Sequence, residues 1–261
     1  MANFRFVMLL VLSGTTGALA RTPTAAQAPS GGCIGGVAIS GRYSLLIHGL
    51  LSTGGAEALA GTMTSDGKCT ISLQLFGNID GVSVFGMAAT ATYAVGNGKA
   101  GVLILTVPGF PQQSYAINRV LRHNEIVGLE QDAVGETEIL AKAQHIGSFS
   151  QSSLKGTYSL ICTGPNELPY ALDQWHFDGI GNATYTTLTY EGATLAPASG
   201  VAAYIVNPDG SFTISADDSS GNAYVFGGGI DSGGGDVPLA TVSFNGSGQV
   251  TGASHCIGQP Q

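Results

Sequence analysis

The chain has 261 residues, of which only 10% are charged, with 40 glycines and a formal net charge of −8. That balance excludes a nucleic-acid partner and disfavours an anionic membrane surface, because phosphate binding needs clustered Lys and Arg and the nine present are scattered. With 44% apolar residues the chain has too much to bury for disorder, so low charge points to a turn-dense β protein with Thr, Ser, Asn and Gln on its wet faces.

Residues 1–20 read as a signal peptide. Arg5 supplies the positive charge, Phe6 to Leu12 the apolar run, and Ala18-Leu19-Ala20 the small-x-small cleavage site. The run is well short of the roughly 20 residues a spanning helix needs. No transmembrane segment is therefore expected, and the mature chain is expected to begin at Arg21 in a secreted or periplasmic setting. Residues 21–36, rich in Thr, Ala, Pro and Gly, form a flexible lead-in.

From 37 to 143 the apolar period is two. Cys69-Thr70-Ile71-Ser72-Leu73-Gln74-Leu75, Val82-Ser83-Val84-Phe85 and Thr90 to Val95 all alternate, the mark of strands with one buried face. Ala100 to Val107 is more continuously apolar and is expected to be covered on both faces by the neighbouring repeat. Glu125, Glu130, Asp132, Glu136 and Glu138 follow without a basic counterpart and read as a solvated edge that discourages aggregation. Residues 144–153 are the linker. From 154 to 258, runs between turns place strands near 156–163, 171–177, 183–190, 200–206, 211–216, 222–229, 237–244 and 249–256.

The second stretch repeats the first. Gly41-Arg42-Tyr43-Ser44-Leu45 returns as Gly156-Thr157-Tyr158-Ser159-Leu160, Asp66-Gly67 as Asp178-Gly179, Tyr93-Ala94-Val95 as Tyr204-Ile205-Val206, and Tyr115 as Tyr224. Offsets of 109 to 115 residues are far above the roughly 20–50 of a solenoid unit and mean two domains of one fold. The fold class is all-β: two tandem antiparallel up-and-down domains of about eight strands each, closed as barrels or folded as sandwiches.

Cys33, Cys69, Cys162 and Cys256 favour two disulfides in an exported protein, and three pairings are open. Pairing within each repeat is the simplest. Cys162 in the first strand and Cys256 in the last strand of the second repeat would then latch a barrel seam, while Cys33–Cys69 would pin the lead-in. A zinc site lacks any Cys-x2-Cys pair.

Chemistry is sparse. His48, His123, His145, His176 and His255 show no His-x-His spacing, so no metal or other cofactor is expected, and His176 reads as a strand residue opposite in face to Trp175 and Phe177. His255 adjoins Cys256, but neighbours on a strand point apart. Asn245-Gly246-Ser247-Gly248 is a hairpin turn rather than a nucleophile elbow. Asp178 to Asn182, Asp217 to Asn222 and Asp231 to Asp236 lack the ladder of a calcium loop and read as turns. Trp175, Phe177, Tyr185, Tyr204 and Tyr224 recur on alternating positions. They either fill the core or line a cavity for a small apolar ligand, and at least one repeat is expected to enclose such a cavity. Ionisable groups on inward faces are expected to be nearly absent.

Gly-x-Tyr-Ser-Leu, then Asp-Gly-x-Gly-Asn at 178–182, then Tyr-x-Val-Asn-Pro-Asp-Gly-Ser at 204–211 resembles a group of exported bacterial proteins of unassigned function built from glycine-rich β units. Asp66-Gly67-Lys68-Cys69 departs from that turn pattern. The resemblance implies a β-barrel of lipocalin-like character and brings no catalytic residues. Three functions follow in order: an exported non-enzymatic barrel that binds a small apolar or amphipathic ligand, a structural or adhesive extracellular protein, and a barrel-mouth isomerase or cyclase.

Overall fold

The computed structural model describes residues 39–96, 100–120, 124–132, 135–144, 147–164, 169–191, 194–217, 223–231, 237–244 and 250–261. They form two closed antiparallel barrels of eight strands each. The first contains β1 (Ser40–Leu51), β2 (Ala56–Asp66), β3 (Thr70–Ile79), β4 (Val82–Val95), β5 (Ala100–Thr106), β6 (Gln113–Val120), β7 (Glu125–Glu130) and β8 (Gly135–Ala143). The second contains β9 (Lys155–Thr163), β10 (Pro169–Asp178), β11 (Asn182–Glu191), β12 (Thr194–Val206), β13 (Ser211–Asp217), β14 (Ala223–Gly229), β15 (Val237–Phe244) and β16 (Val250–Pro260). Closure, rather than a sandwich, is the outcome. The last strand runs beyond the expected 256 because Gln259 and Pro260 still lie opposite Ser159 and Tyr158.

Strand alternation places one set of side chains inside each barrel. Tyr43, Leu45, Leu59, Met63, Leu73, Leu103 and Ile139 fill the first, and Tyr158, Leu160, Trp175, Phe177, Phe212 and Phe226 the second. Turn chemistry fixes the register. Asp66 Oδ1 accepts from the backbone of Lys68 and Thr70, Asp178 Oδ1 from Ile180, Gly181 and Asn182, with Gly67 and Gly179 at φ 74° and 83°. These carboxylate oxygens are the acceptors that hold their own turns. Cys69, at φ 76°, stands where the second turn has Gly181. A side chain there is strained, and Cys69 is held by a disulfide bond. Cys33 lies outside the described residues, as do His123, His145 and the Asn245–Gly248 turn.

Cys162 and Cys256 are directly opposite on β9 and β16, with Cα atoms 4.1 Å apart, and are bonded. The seam of the second barrel is therefore latched covalently. Ile47 and Ile139 occupy the same register in the first and close it by apolar contact. Strand pairing also corrects one landmark. Leu103 opposes Tyr115 while Ile214 opposes Phe226, so Tyr115 corresponds to Phe226 and Tyr224 to Gln113. The shift of two residues keeps every side chain on its face.

The barrels pack directly on each other, through the outer faces of β1, β2 and β3 on one side and β14, β15 and β16 on the other. The continuously apolar β5 is buried on both faces at Leu103, Ile104 and Leu105, as expected, but the face that the neighbouring repeat covers is that of β1–β3. Leu46 and Ala60 pack on Ala240, and a Cβ on Gly227 would fall 2.2 Å from Phe76 Cβ. His48 and His255 stack across the contact at 4.0 Å, and burial together with His48 pushes His255 down to about 3, so it is neutral. Gln144, at the start of the linker, donates to the Ile230 carbonyl at 2.8 Å. The linker ends in a 3-10 turn at Gln151–Ser153.

Replacing Cys162 and Cys256 by Ala together is expected to cost the second barrel about 4–5 kcal/mol, the chain-entropy value for a loop of 94 residues. Urea unfolding followed by Trp175 fluorescence measures it, since the sole tryptophan lies in that barrel.

Candidate functional site

Four of the five aromatic residues singled out from sequence meet inside the second barrel. Trp175 stacks on Tyr185 at 4.8 Å and on Phe177 at 5.9 Å, and Phe177 meets Tyr204 edge-on at 5.2 Å. Tyr224 is only partly buried and packs against this cluster. Rings at these separations are in contact, so no ligand-sized gap lies between them and their first role is core. The Tyr204 hydroxyl receives the Gly179 amide at 2.9 Å and donates to the Leu154 carbonyl at 2.9 Å, tying the linker to the β10–β11 turn. His176 faces outward and shares a 3.2 Å hydrogen bond with the Thr157 hydroxyl.

Inward ionisable groups are present, against expectation. Glu57 lies two residues before Leu59 on β2, so alternation turns it into the first barrel, where it is buried. Gln113 Nε2 donates to its Oε2 at 2.6 Å, while Oε1 is buried without a hydrogen-bond partner. On neighbouring inward positions the Tyr115 and Thr137 hydroxyls are 3.0 Å apart, and Thr137 donates to Glu130 Oε2 at 2.8 Å. With Thr137 donating onward, Tyr115 is the donor to Thr137. Asp132 borders Glu130 and accepts the Ser114 amide at 2.5 Å. All of these residues sit at the barrel end formed by the β1–β2, β3–β4, β5–β6 and β7–β8 connections. One mouth of the first barrel is therefore polar and acidic.

Electrostatics follow from burial. Desolvation raises Glu57 to about 7 and the charge of Glu130 adds to it, against the Gln113 hydrogen bond. Glu130 is likewise raised to about 7, first by burial and then by its contact with Asp132, against the Thr137 bonds. Burial also pushes the Tyr115 hydroxyl well up, so it stays a neutral donor. Both glutamates therefore hold or release a proton near neutrality.

The second barrel does not repeat this mouth. Register puts Phe226 at the Tyr115 position, Tyr224 at Gln113, and Thr241 at Glu130. Its one buried inward carboxyl among the described residues is Asp173, whose Oδ2 accepts Trp175 Nε1 at 3.4 Å and whose pKa burial raises. The acidic run late in the first repeat is not an edge, because every strand is paired on both sides. Glu125 instead pairs with Lys142 at 3.9 Å, and Glu130 turns inward. The alternation that marks Leu59 and Met63 as core is the signal that would have found Glu57. No group of three or more metal-ligating side chains gathers among the described residues, and none of their helices is long and apolar enough to cross a membrane.

No protein-family model matches the chain, and no curated protein matches it. A solved structure of a DUF3598-family protein of unknown function from Nostoc punctiforme aligns over 85% of this chain and 96% of its own, at 12% identity and a TM-score of 0.31. A likeness so distant transfers no residue and no role.

A carboxyl raised by folding keeps its proton while the unfolded chain loses one, so stability falls as pH rises from about 4.3 towards 7 and is level above that. Glu57→Gln removes this term. The variant is expected to melt above the parent at pH 8 and to lose that advantage by pH 4.5; calorimetry at the two pH values checks it.

Proposed function

We propose that this is an exported, non-enzymatic two-barrel protein whose first barrel binds a small amphipathic ligand by its hydrogen-bond-donating head group. The observation that carries the reading is Glu57 Oε1, a buried acceptor without a partner beside Gln113 inside an apolar barrel. A buried polar atom left unpaired costs about 1–3 kcal/mol, and an incoming hydroxyl or ammonium would recover it. Leu59, Leu75, Leu103 and Leu105 behind the mouth would take the apolar tail. Export is supported by the Cys162–Cys256 bond, which persists in oxidising compartments. It is supported also by the sequence of residues 1–20. A structural or adhesive role is the second reading, favoured by the exposed Ile161, Leu172 and Leu188 on the outer face of the second barrel.

Native mass spectrometry of protein isolated from its own secretion medium or periplasm tests the first reading. The expected result is a chain beginning at Arg21 carrying extra mass that denaturation releases. The same preparation of Glu57→Leu, folded by circular dichroism, is expected to be bare. Wild-type protein without extra mass would remove the ligand reading.

A further inference from the structure

The two barrels are copies, yet the contact between them is not symmetric: β1–β3 of the first meet β14–β16 of the second. Each barrel has both kinds of face, so the contact uses one face of each and leaves the other. Register identifies the faces residue by residue. Tyr43 corresponds to Tyr158 and Asp66 to Asp178. The row Leu46–Ala60–Phe76, laterally adjacent across three strands, therefore corresponds to Ile161–Leu172–Leu188, which is adjacent in the same way. The first row is buried against the second barrel. The second row is exposed at 57%, 52% and 41%, although its side chains are at least as apolar.

The receiving face shows the same imbalance. Gly227, Ala240 and Pro238, which receive the first row, correspond by register to Ala116, Leu129 and Val127 of the first barrel. Leu129 is 60% and Val127 38% exposed. Sizes differ between the two sets: Leu46 and Ala60 meet Ala240 in the first, where the second has Ile161 and Leu172 opposite Leu129. Phe76 sits over Gly227, where no Cβ fits; the corresponding pair is Leu188 with Ala116, and because Leu188 carries the same Cβ and Cγ, that pair meets only at a wider spacing. His48 over His255 becomes Thr163 with Glu138, a hydroxyl facing a carboxylate. The donor row is flanked by Ser159, Gln174 and Thr186, so net charge sets up no local repulsion there.

We propose that the chain self-associates head to tail, with the β9–β11 face of one copy docking on the β6–β8 face of the next. The docking pairs the same two kinds of face as the contact inside each chain, at a wider separation, because Ala116, Asn118 and Leu129 stand where that contact has Gly227, Gly229 and Ala240. Such an interface is heterologous: one copy's donor face is never used up by its own receiver, so growth continues until rotation closes a ring or a fibre forms. The two faces lie three strand positions apart in a ring of eight, roughly 135° around each barrel, which gives a curved rather than straight assembly. This association is independent of the ligand reading, since the row lies outside the barrel and Glu57 inside.

Sedimentation velocity over a wide concentration range tests it with two variants on exposed positions, Leu172→Glu on the donor face and Leu129→Glu on the receiver. Wild-type protein is expected to form oligomers larger than a dimer. Each variant, with unchanged circular dichroism and Trp175 fluorescence, is expected to associate about tenfold or more weakly. An equimolar mixture of the two is expected to form a heterodimer that stops there, because one variant keeps a good receiver and the other a good donor. Monomeric wild type, oligomers unaffected by either variant, or a mixture that stays monomeric would each overturn the proposal. The first of these would assign the apolar row to a different partner.

Discussion

Closure of each sheet on itself is the constraint from which the rest follows. Once β1 pairs with β8 and β9 with β16, no backbone edge is left, and every residue is assigned to an inside or an outside by parity alone. Inside positions must be apolar or find partners within the barrel. Outside positions face water or another barrel. The two seams are held differently, by Cys162–Cys256 in one and by Ile47 beside Ile139 in the other. The disulfide thus stands where a branched aliphatic pair performs the same closure without covalent help.

Parity also explains why the two interiors have diverged. In the second barrel the inward positions of β10, β11 and β12 carry Trp175, Phe177, Tyr185 and Tyr204, large rings that occupy the space by stacking on one another. The first barrel uses aliphatic side chains over most of its length and gathers its buried glutamates at one end. A carboxyl in that setting gives up hydration, and the Gln113 bond returns part of what Glu57 loses. The Tyr115–Thr137–Glu130 chain of hydroxyl donors gives Glu130 a partner on one oxygen. The polar mouth is particular to the first barrel, since the second has Phe226 and Thr241 at the corresponding positions.

The contact between barrels depends on the smallest side chains in the molecule. Gly227 lets Phe76 lie against the β14 backbone, and a Cβ on Gly229 would meet the Gly61 carbonyl at 2.2 Å. Such close approach excludes water from His255 and keeps it uncharged. Linker residues secure the arrangement: Arg42 lies over the Phe149 ring at 5.6 Å and donates to the Pro208 and Gly147 carbonyls. A tandem pair held this way presents two unlike outer faces.

The sequence by itself determined the repeat, the strand count, the turns and the two faces of each strand. Those are local properties: an Asp-Gly pair makes its turn and a period of two makes its strand wherever they stand. It also placed Cys162 and Cys256 on the first and last strands, from which closure could be argued. What the local pattern leaves out is which outer face meets which. Leu46 and Ile161 are equivalent in sequence, yet one is buried and the other exposed, because only one of two like faces can be covered by a single neighbour. Glu130 likewise reads as part of a solvated edge, and Glu57 stands out only by sharing the parity of Leu59 and Met63. Only the closed barrel brings strands β2, β6, β7 and β8 round to a common axis, and that convergence over some seventy residues of chain is what makes a site of them.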